Sequence, residues 1–275
     1  MFDAHVHAAP DVLPRFADDT DTVSAYEAAG YDGVVLKAHY DCTAGRAHAA
    51  GRGRAITVYG GLALNAQTGG VNASAVAAAL DQGARVIWMP TADAAAQQAA
   101  GLPRLCGLHE RLPGHTYSIP PRDFSAEQAV RDVLDLIAQA DAVLATGHLG
   151  AKEVRWLIGA AREHGVGRVL LTHPSYTVPA MPARLAAELA ETGAHVEVTA
   201  YQLLHQAGAS AETLAAFVRA VGYQRLVLSS DAGQPDSPSP PEALALLVDT
   251  LAGQGLDAGA LHAAASDLPH ALIAP

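Results

Sequence analysis

Four histidines and one aspartate stand at the ends of short apolar runs in this chain. They are His5, His7, His148, His173 and Asp231. Imidazole nitrogens and a carboxylate together are typical ligands of a borderline divalent ion such as Zn²⁺. An ion in such a site acidifies a water molecule, and a carboxylate beside it can move the proton to a leaving group. The residue types therefore predict a site for one or two divalent ions, with Zn²⁺ favoured, that activates water.

The spacing of His5 and His7 supports a shared site. Side chains along a strand alternate with a period of two, so both imidazoles point to the same face. A single histidine at a strand end is explained equally well by a helix cap or a hydrogen bond in the core. Five ionisable residues at the ends of four strands favour a common site, because few positions of a barrel lie at such ends.

The apolar runs alternate with Ala- and Leu-rich stretches of helical character, many of which end at a glycine that suits a helix C-terminus. The predicted strands are Phe2–His7, Gly33–His39, Ile56–Leu64, Arg85–Met89, Ala142–Ala145, Arg168–Thr172, His195–Thr199 and Arg225–Ser229. Eight strands and about eight helices predict an α/β fold, a (β/α)₈ TIM barrel in one domain over residues 1–275. A doubly wound sheet is the main alternative, but it usually carries a Gly-rich turn after its first strand, which is missing here.

The strand ends matter because active sites of such barrels lie at the carboxyl ends of the strands. A long connection rich in Gly and Pro, Thr91–Ser125, joins the fourth and fifth predicted strands. We expect it to form a short helix and an irregular or hairpin excursion over the barrel mouth, since loops of this length are usually functional.

Lys37 and Glu197 are charged residues within predicted strands. Lys37 shares one face of its strand with Val35 and His39. The apolar Val196 and Val198 on the other face of strand seven indicate that Glu197 faces inward. Three interpretations are open for Lys37: a carbamylated lysine that bridges two metals, an ammonium paired with Asp231 or an anionic substrate, or a solvated side chain outside the barrel. An uncompensated charge inside would be costly. Glu197 is open as a metal ligand, an acid/base group or an ion-pair partner of Lys37.

The composition of the chain restricts the classes of molecule that it is expected to bind. The chain carries 17 Lys and Arg against 28 Asp and Glu, a net charge of −11, which argues against nucleic acid and anionic membranes. It has no apolar stretch long enough to cross a membrane and no signal-peptide pattern. Two cysteines do not form a disulfide framework and favour a reducing, cytoplasmic location. We therefore expect a small-molecule partner, and self-association is left open.

The placed motifs resemble the amidohydrolase superfamily of metal-dependent hydrolases. The matching segments are DAHVH on strand one, TGH at 146–148, THP at 172–174 and SSD at 229–231. The resemblance implies that His5, His7, His148, His173 and Asp231 are metal ligands, and that Asp231 also shuttles protons. Within the superfamily, the chain most resembles a small branch with the motifs DxHVHxAPD, VLKxH, TGH, THP and DxGQP.

Two departures from the superfamily bear on the site. Strand four ends in WMPT without the bridging Lys or Glu of binuclear members, so Lys37 on strand two is the candidate replacement. The HxxE pattern of deaminases is missing after strand five, which argues against nucleobase deamination.

These observations predict a metal-dependent hydrolase that cleaves an amide, lactam or lactone of a small polar molecule, with Asp231 as the catalytic proton carrier. The alternatives are a decarboxylase or phosphoester hydrolase on the same scaffold, and a metal-binding barrel without turnover. The candidate substrate contacts are His39, Arg46, Asn65, Thr91, Tyr176, Glu197 and Tyr201.

Overall fold

A computed structural model describes residues 1–101, 116–120 and 124–275. Within these residues, eight parallel strands form one sheet in the order of the chain. They are β1 (Phe2–His7), β2 (Gly33–Lys37), β3 (Thr57–Ala63), β4 (Ala84–Trp88), β5 (Val143–Ala145), β6 (Arg168–Leu171), β7 (His195–Thr199) and β8 (Leu226–Ser229). Every predicted strand is present, with ends that differ by at most two residues.

The last strand returns to the first and closes the sheet. Val6 pairs with Ala232 in parallel, the amide of Asp231 donates to His5 O at 2.8 Å, and the amide of His7 donates to Ala232 O at 2.9 Å. Gly233 permits this approach, because it has φ 123° and a Cβ at this position would lie 2.0 Å from His7 O. The predicted TIM barrel is confirmed.

Helices cover the outside of the barrel in the described residues. They are α1 (Asp19–Ala28), α2 (Ala44–Gly51), α3 (Ala73–Asp81), α4 (Ala95–Ala99), α5 (Phe124–Gln139), α6 (Ala151–Glu163), α7 (Ala183–Glu191), α8 (Ala200–His205), α9 (Ala211–Val221), α10 (Pro240–Gly253), α11 (Ala258–Ala264) and α12 (Asp267–Ile273). None of the described helices is both long and apolar enough to cross a membrane.

Two apolar layers position the strands. On β2, Val34 and Leu36 belong to the large core between barrel and helices, whereas Val35 belongs to a smaller cluster inside the barrel. Leu272 and Ile273 of α12 join this inner cluster together with Phe2 at the amino-terminal end of β1. The closed end of the barrel is therefore apolar, and its polar side chains gather at the carboxyl ends of the strands.

The long connection between β4 and β5 begins with the short helix α4, as predicted, and Ala94 pairs with Tyr117 in an isolated bridge. The rest of the expected excursion, residues 102–115 and 121–123, lies outside the described residues.

Candidate metal centre

Strand β1 brings His5 and His7 to the mouth of the barrel, where both are buried. The register of β1 against β2 shifts between Asp3 and Val6, and Val6 packs in the outer core. Asp3 accepts a hydrogen bond from Tyr26 on α1 at 2.5 Å, so it does not share the site. The two imidazoles lie on one face, as the period of two predicts.

Asp231 completes the innermost group of the site. Its Oδ1 lies 3.0 Å from His5 Nε2 and 3.2 Å from His7 Nε2. The three residues offer ligand atoms that all lie within 4.8 Å of one another, the one such group found among the described residues. Asp231 has a left-handed backbone with φ 48°, and such strained non-glycine residues concentrate at functional sites.

The pKa shifts of Asp231 and His5 indicate that these three residues would bind a cation. Burial opposes the charge of Asp231, but His5 and the hydrogen bonds from both imidazoles hold the pKa of Asp231 well below its usual value. Burial also opposes a charged His5, and Lys37 does so too, yet Asp231 and Glu197 outweigh them and raise the pKa of His5 to about 9. A positive charge is thus stabilised between His5 Nε2 and Asp231, where a metal ion would take the place of the proton.

Glu197 lies beneath the ring of His5. Its Oε1 accepts from His5 Nδ1 at 3.1 Å and from Ser229 Oγ at 2.7 Å, and its Oε2 accepts from the amide of His173 at 3.0 Å. Burial raises and His5 lowers the pKa of Glu197, and the net shift is downward. An ionised Glu197 places the proton of His5 on Nδ1 and leaves Nε2 free for a ligand bond. The side chain is away from the cavity, which corrects the expectation that Glu197 contacts substrate.

Lys37 points into the barrel and is 1% exposed, so the solvated interpretation is excluded. Its Nζ lies 2.8 Å from His5 Nε2 and 5.4 Å from the centre of the Trp88 ring. Burial lowers the pKa of Lys37 to about 8, although Asp231 and Glu197 oppose this shift. Lys37 forms no ion pair with a carboxylate of any described residue, so the expected pairing with Asp231 or Glu197 is not made.

The remaining predicted histidines complete a ring of imidazoles. His148 lies with its ring 5.0 Å from that of His173, which is itself 6.2 Å from His5. His39 lies 5.0 Å from His7 and 5.8 Å from His148. His173 has a left-handed backbone with φ 26°, and its buried Nδ1 has no hydrogen-bond partner among the described residues. An unpartnered buried nitrogen at this place is available for a ligand.

Most of these imidazoles are neutral, which is the form that binds metal. Burial lowers the pKa of His173 to about 4. Burial holds the pKa of His7, of His39 and of His148 well below the usual value. The charge of Arg15 lowers the pKa of His7 further, and that of Lys37 lowers the pKa of His39.

The site opens into a cavity of about 120 Å³ at the barrel mouth. Most predicted site residues line it, and the described residues of its wall are His7, Leu13, Arg15, Lys37, His39, Gln97, His148, His173, Tyr176, Tyr201, Asp231 and Gln234. The two predicted tyrosines pack edge to face with their rings 5.8 Å apart. They form an aromatic part of the wall.

Besides Glu197, three predicted substrate contacts do not line the cavity. Arg46 binds Asp19 through Nε and Nη2 at 2.8 Å and so ties α2 to α1. The amide nitrogen of Asn65 donates to Thr91 Oγ1 at 2.7 Å, and its Oδ1 accepts from the Thr91 amide at 3.0 Å. Asn65 and Thr91 therefore fasten two loops and, through the 2.9 Å contact of Thr91 with His39 Nδ1, orient that imidazole. These placements correct the expectation of substrate contact.

The structure adds wall residues that the sequence reasoning missed. Gln97 lies on α4, in the connection expected to be functional, and its Oε1 is 3.1 Å from His148 Nδ1. Arg15 and Gln234 come from the segments after β1 and β8. They lie in loops, and no periodicity marks the direction of a loop side chain.

Comparison with known proteins places the chain in a family. Residues 1–197 match the model of a family of unknown function, DUF6282. The chain belongs to DUF6282. No protein among the curated ones matches the sequence.

Solved structures share the fold of this DUF6282 member at low identity. An amidohydrolase from Pseudomonas aeruginosa is 10% identical with a TM-score of 0.66, over 100% of this chain and 97% of that one. A TatD homologue from Escherichia coli is 15% identical with a TM-score of 0.58, over 99% of this chain and 97% of that one. N-acetyl-D-glucosamine-6-phosphate deacetylase from Mycobacterium smegmatis is 15% identical with a TM-score of 0.61, over 99% of this chain and 75% of that one. The resemblance to the amidohydrolase superfamily is therefore confirmed in the fold.

The residues of this DUF6282 protein fit a divalent ion. His5, His7 and Asp231 converge, and their pKa shifts favour a positive charge between them. The buried Nδ1 of His173 has no partner in the part of the chain that the structure describes. Nitrogen and carboxylate ligands of this kind suit Zn²⁺ and related ions.

Proposed function

We propose that this protein is a metal-dependent hydrolase that cleaves an amide, lactam or lactone bond of a small polar molecule. The observation that carries the proposal is the convergence of His5, His7 and Asp231 at the barrel mouth, within a ring of further imidazoles and beside a cavity. A fold shared with an amidohydrolase and a deacetylase supports the reaction class. The acidic charge and the two cysteines support a small-molecule substrate in the cytoplasm.

We assign one or two divalent ions, with Zn²⁺ favoured, to the imidazoles and the carboxylate of the site. The proposed ligands are His5, His7, His148, His173 and Asp231. When bound, such an ion supplies Lewis-acid activation of water and of a substrate carbonyl. His39 lies between His7 and His148 and is proposed to contact substrate from the cavity wall.

Asp231 is the residue of this chain that moves a proton. Its Oδ1 faces the two imidazoles of β1, which leaves Oδ2 to accept a proton from the attacking water. The low pKa of Asp231 keeps it ionised before the reaction, so it starts as a base. It then returns the proton to the leaving nitrogen or oxygen, as a general acid. Glu197 acts through His5, by holding its ring and its tautomer.

Lys37 is proposed to become a carbamate that bridges two ions. An ammonium 2.8 Å from His5 Nε2 would repel a metal at that nitrogen. Addition of CO₂ to the unprotonated Nζ forms an N–C bond and releases one proton, which converts the cation into a carboxylate-like ligand. The alternative is an unmodified Lys37 beside a single ion.

Elemental analysis of protein purified without a chelator tests the proposal. We expect one or two equivalents of a divalent ion, loss of the ion in His5→Gln and His7→Gln, and retention in the control His164→Gln. His164 pairs with Asp135 at the end of α6, away from the cavity. Metal-loaded protein should hydrolyse members of a lactone, lactam and amide panel, and a chelator should abolish turnover. Metal-loaded protein that is inert to this panel but cleaves phosphoesters or releases CO₂ would contradict the assigned reaction.

A further inference from the structure

Arg15 is a cavity residue that the proposed chemistry does not use. It lies in the segment after β1, and its side chain is 4% exposed. Its Nε and Nη2 donate to Asp11 Oδ2 at 2.7 and 2.6 Å, and Asp11 is itself 2% exposed on its side chain. The third nitrogen, Nη1, makes no hydrogen bond with any described residue. The guanidinium is thus held rigidly on one side and keeps two N–H groups for a ligand.

The charge of the cavity wall favours an anion. Among the described residues of the wall, Arg15 and Asp231 carry opposite charges, and Lys37 is a cation unless it is converted to the proposed carbamate. Asp11, which pairs with Arg15, lies outside the wall. A divalent ion bound by the imidazoles adds further positive charge. The cavity is therefore positive within a chain of net charge −11, and such focused potential attracts ligands of opposite sign.

We propose that the substrate of this site carries a carboxylate group and that Arg15 binds it; this inference rests on the proposed hydrolase function. A guanidinium pairs with carboxylate through short, charge-assisted hydrogen bonds. The free Nη1 can donate to one oxygen of a carboxylate, whereas a phosphate presents three oxygens and would need further donors.

The position of Arg15 restricts where the carboxylate stands in the substrate. Arg15 Nη2 lies 3.3 Å from His7 Nδ1, and the Nε2 of the same ring lies 3.2 Å from Asp231 Oδ1. One imidazole ring therefore separates the anion-binding group from the proposed proton carrier. The substrate class is a small lactone, lactam or amide whose carboxylate stands only a few bonds from the reacting carbonyl.

A binding experiment tests the role of Arg15. Glutarate, its neutral diamide glutaramide, acetate and inorganic phosphate are titrated separately into metal-loaded protein by calorimetry, with acetate reporting a carboxylate that binds the metal alone. We expect glutarate to bind at least about 10-fold more tightly than glutaramide and acetate, because a hydrogen bond to a charged group contributes most of this preference. Arg15→Gln should reduce the preference about 10-fold, and Arg15→Lys should reduce it less, because the charge is kept.

Two further variants separate binding from folding. The double variant Asp11→Asn with Arg15→Gln removes both members of the pair, so that no buried carboxylate is left unpaired, and it should behave like Arg15→Gln. Arg54→Gln removes the same charge from an Arg–Glu pair between α1 and the segment after α2, and should bind glutarate like the wild type. An unchanged preference in Arg15→Gln, or no preference in the wild type, would overturn the inference. So would phosphate binding that exceeds glutarate binding and depends on Arg15.

A pair of substrates separates this inference from the proposed function. The two are a γ-lactone with a carboxylate on the carbon beside the ring oxygen and its neutral carboxamide. Faster hydrolysis of the carboxylate, with the difference lost in Arg15→Gln, supports both. Equal hydrolysis of the two, unaffected by Arg15→Gln, overturns the inference and keeps the hydrolase. If neither lactone is hydrolysed but glutarate still binds in an Arg15-dependent way, the proposed lactone cleavage is wrong and the inferred carboxylate-binding site stands.

Discussion

The Nδ1 atom of His5 donates to Oε1 of Glu197 at 3.1 Å, from the side of the ring opposite to Asp231. Both residues are fully buried, and the carboxylate also accepts from Ser229 and from the amide of His173. Together these hydrogen bonds link β1, β7, β8 and the segment after β6 at the base of the site. The bond from His5 to Glu197 sets the direction in which His5 presents its other nitrogen.

Glu197→Gln should weaken metal binding about 10- to 100-fold, because an amide holds the His5 tautomer less strongly than a carboxylate does. A competition titration with a chromophoric chelator measures the affinity. Glu191→Gln, at the end of α7 and exposed, serves as the matched control and should bind metal like the wild type. Wild-type affinity in Glu197→Gln would show that the hydrogen bond does not support a ligand.

Asp231→Asn should retain metal and lower turnover at least about 100-fold, the usual range for the loss of a general acid/base group. An amide keeps one oxygen for the ion but cannot accept the proton. Steady-state kinetics on a substrate from the panel, with metal content measured on the same sample, test this. Asp236→Asn, in the same loop and exposed, is the control. Full activity of a metal-loaded Asp231→Asn would show that another group carries the proton.

Lys37→Ala should lose one of two ions, and a short carboxylic acid such as propionate should restore part of the metal content and the activity. The added acid would occupy the place of the carbamate. Metal content and a ¹³C NMR signal from ¹³CO₂-treated wild type are the measurements. A single ion in the wild type, with no carbamate signal, would leave the unmodified lysine as the correct form.

Gly233→Ala should destabilise the protein and weaken metal binding. A Cβ there would lie 2.0 Å from His7 O, and the left-handed φ of 123° strains any other residue. His7 and Asp231 would have to move apart as the backbone yields. Gly159→Ala, inside α6 with open space around it, should be neutral or stabilise by up to about 1 kcal/mol. Denaturant unfolding and metal titration of both variants decide the matter; equal behaviour would contradict the steric argument.

His195 should make the free energy of unfolding depend on pH. Burial, followed by Arg225, lowers the pKa of His195 to about 4. In the unfolded chain the imidazole of His195 has a pKa near 6.5. Between pH 6.5 and 4 it is therefore protonated in the unfolded chain and neutral in the folded protein. The free energy of unfolding therefore falls as pH decreases from about 6.5 to 4, by about 1–3 kcal/mol for this partly exposed ring. In chelator-treated protein, wild type should lose more stability than His195→Gln between pH 7 and pH 5. Parallel losses would refute this contribution.

The sequence alone was sufficient for the barrel and for the inner faces of its strands. The alternation of apolar residues on β7 predicted that Glu197 faces inward, and the outward Val196 and Val198 confirm this. On β2 it placed Lys37 on the same face as Val35, which lies inside the barrel. Such patterns are readable because a strand has a fixed period and a barrel has one polar end.

Only the tertiary structure decided what those side chains contact. Glu197 lies under His5 instead of reaching the cavity, because the closed barrel brings His5, Ser229 and the amide of His173 within hydrogen-bond distance of its carboxylate. Arg46 turns to Asp19, whereas Arg15 turns to the cavity. Loop direction has no sequence period, and it follows from which partners the closed barrel brings within hydrogen-bond distance.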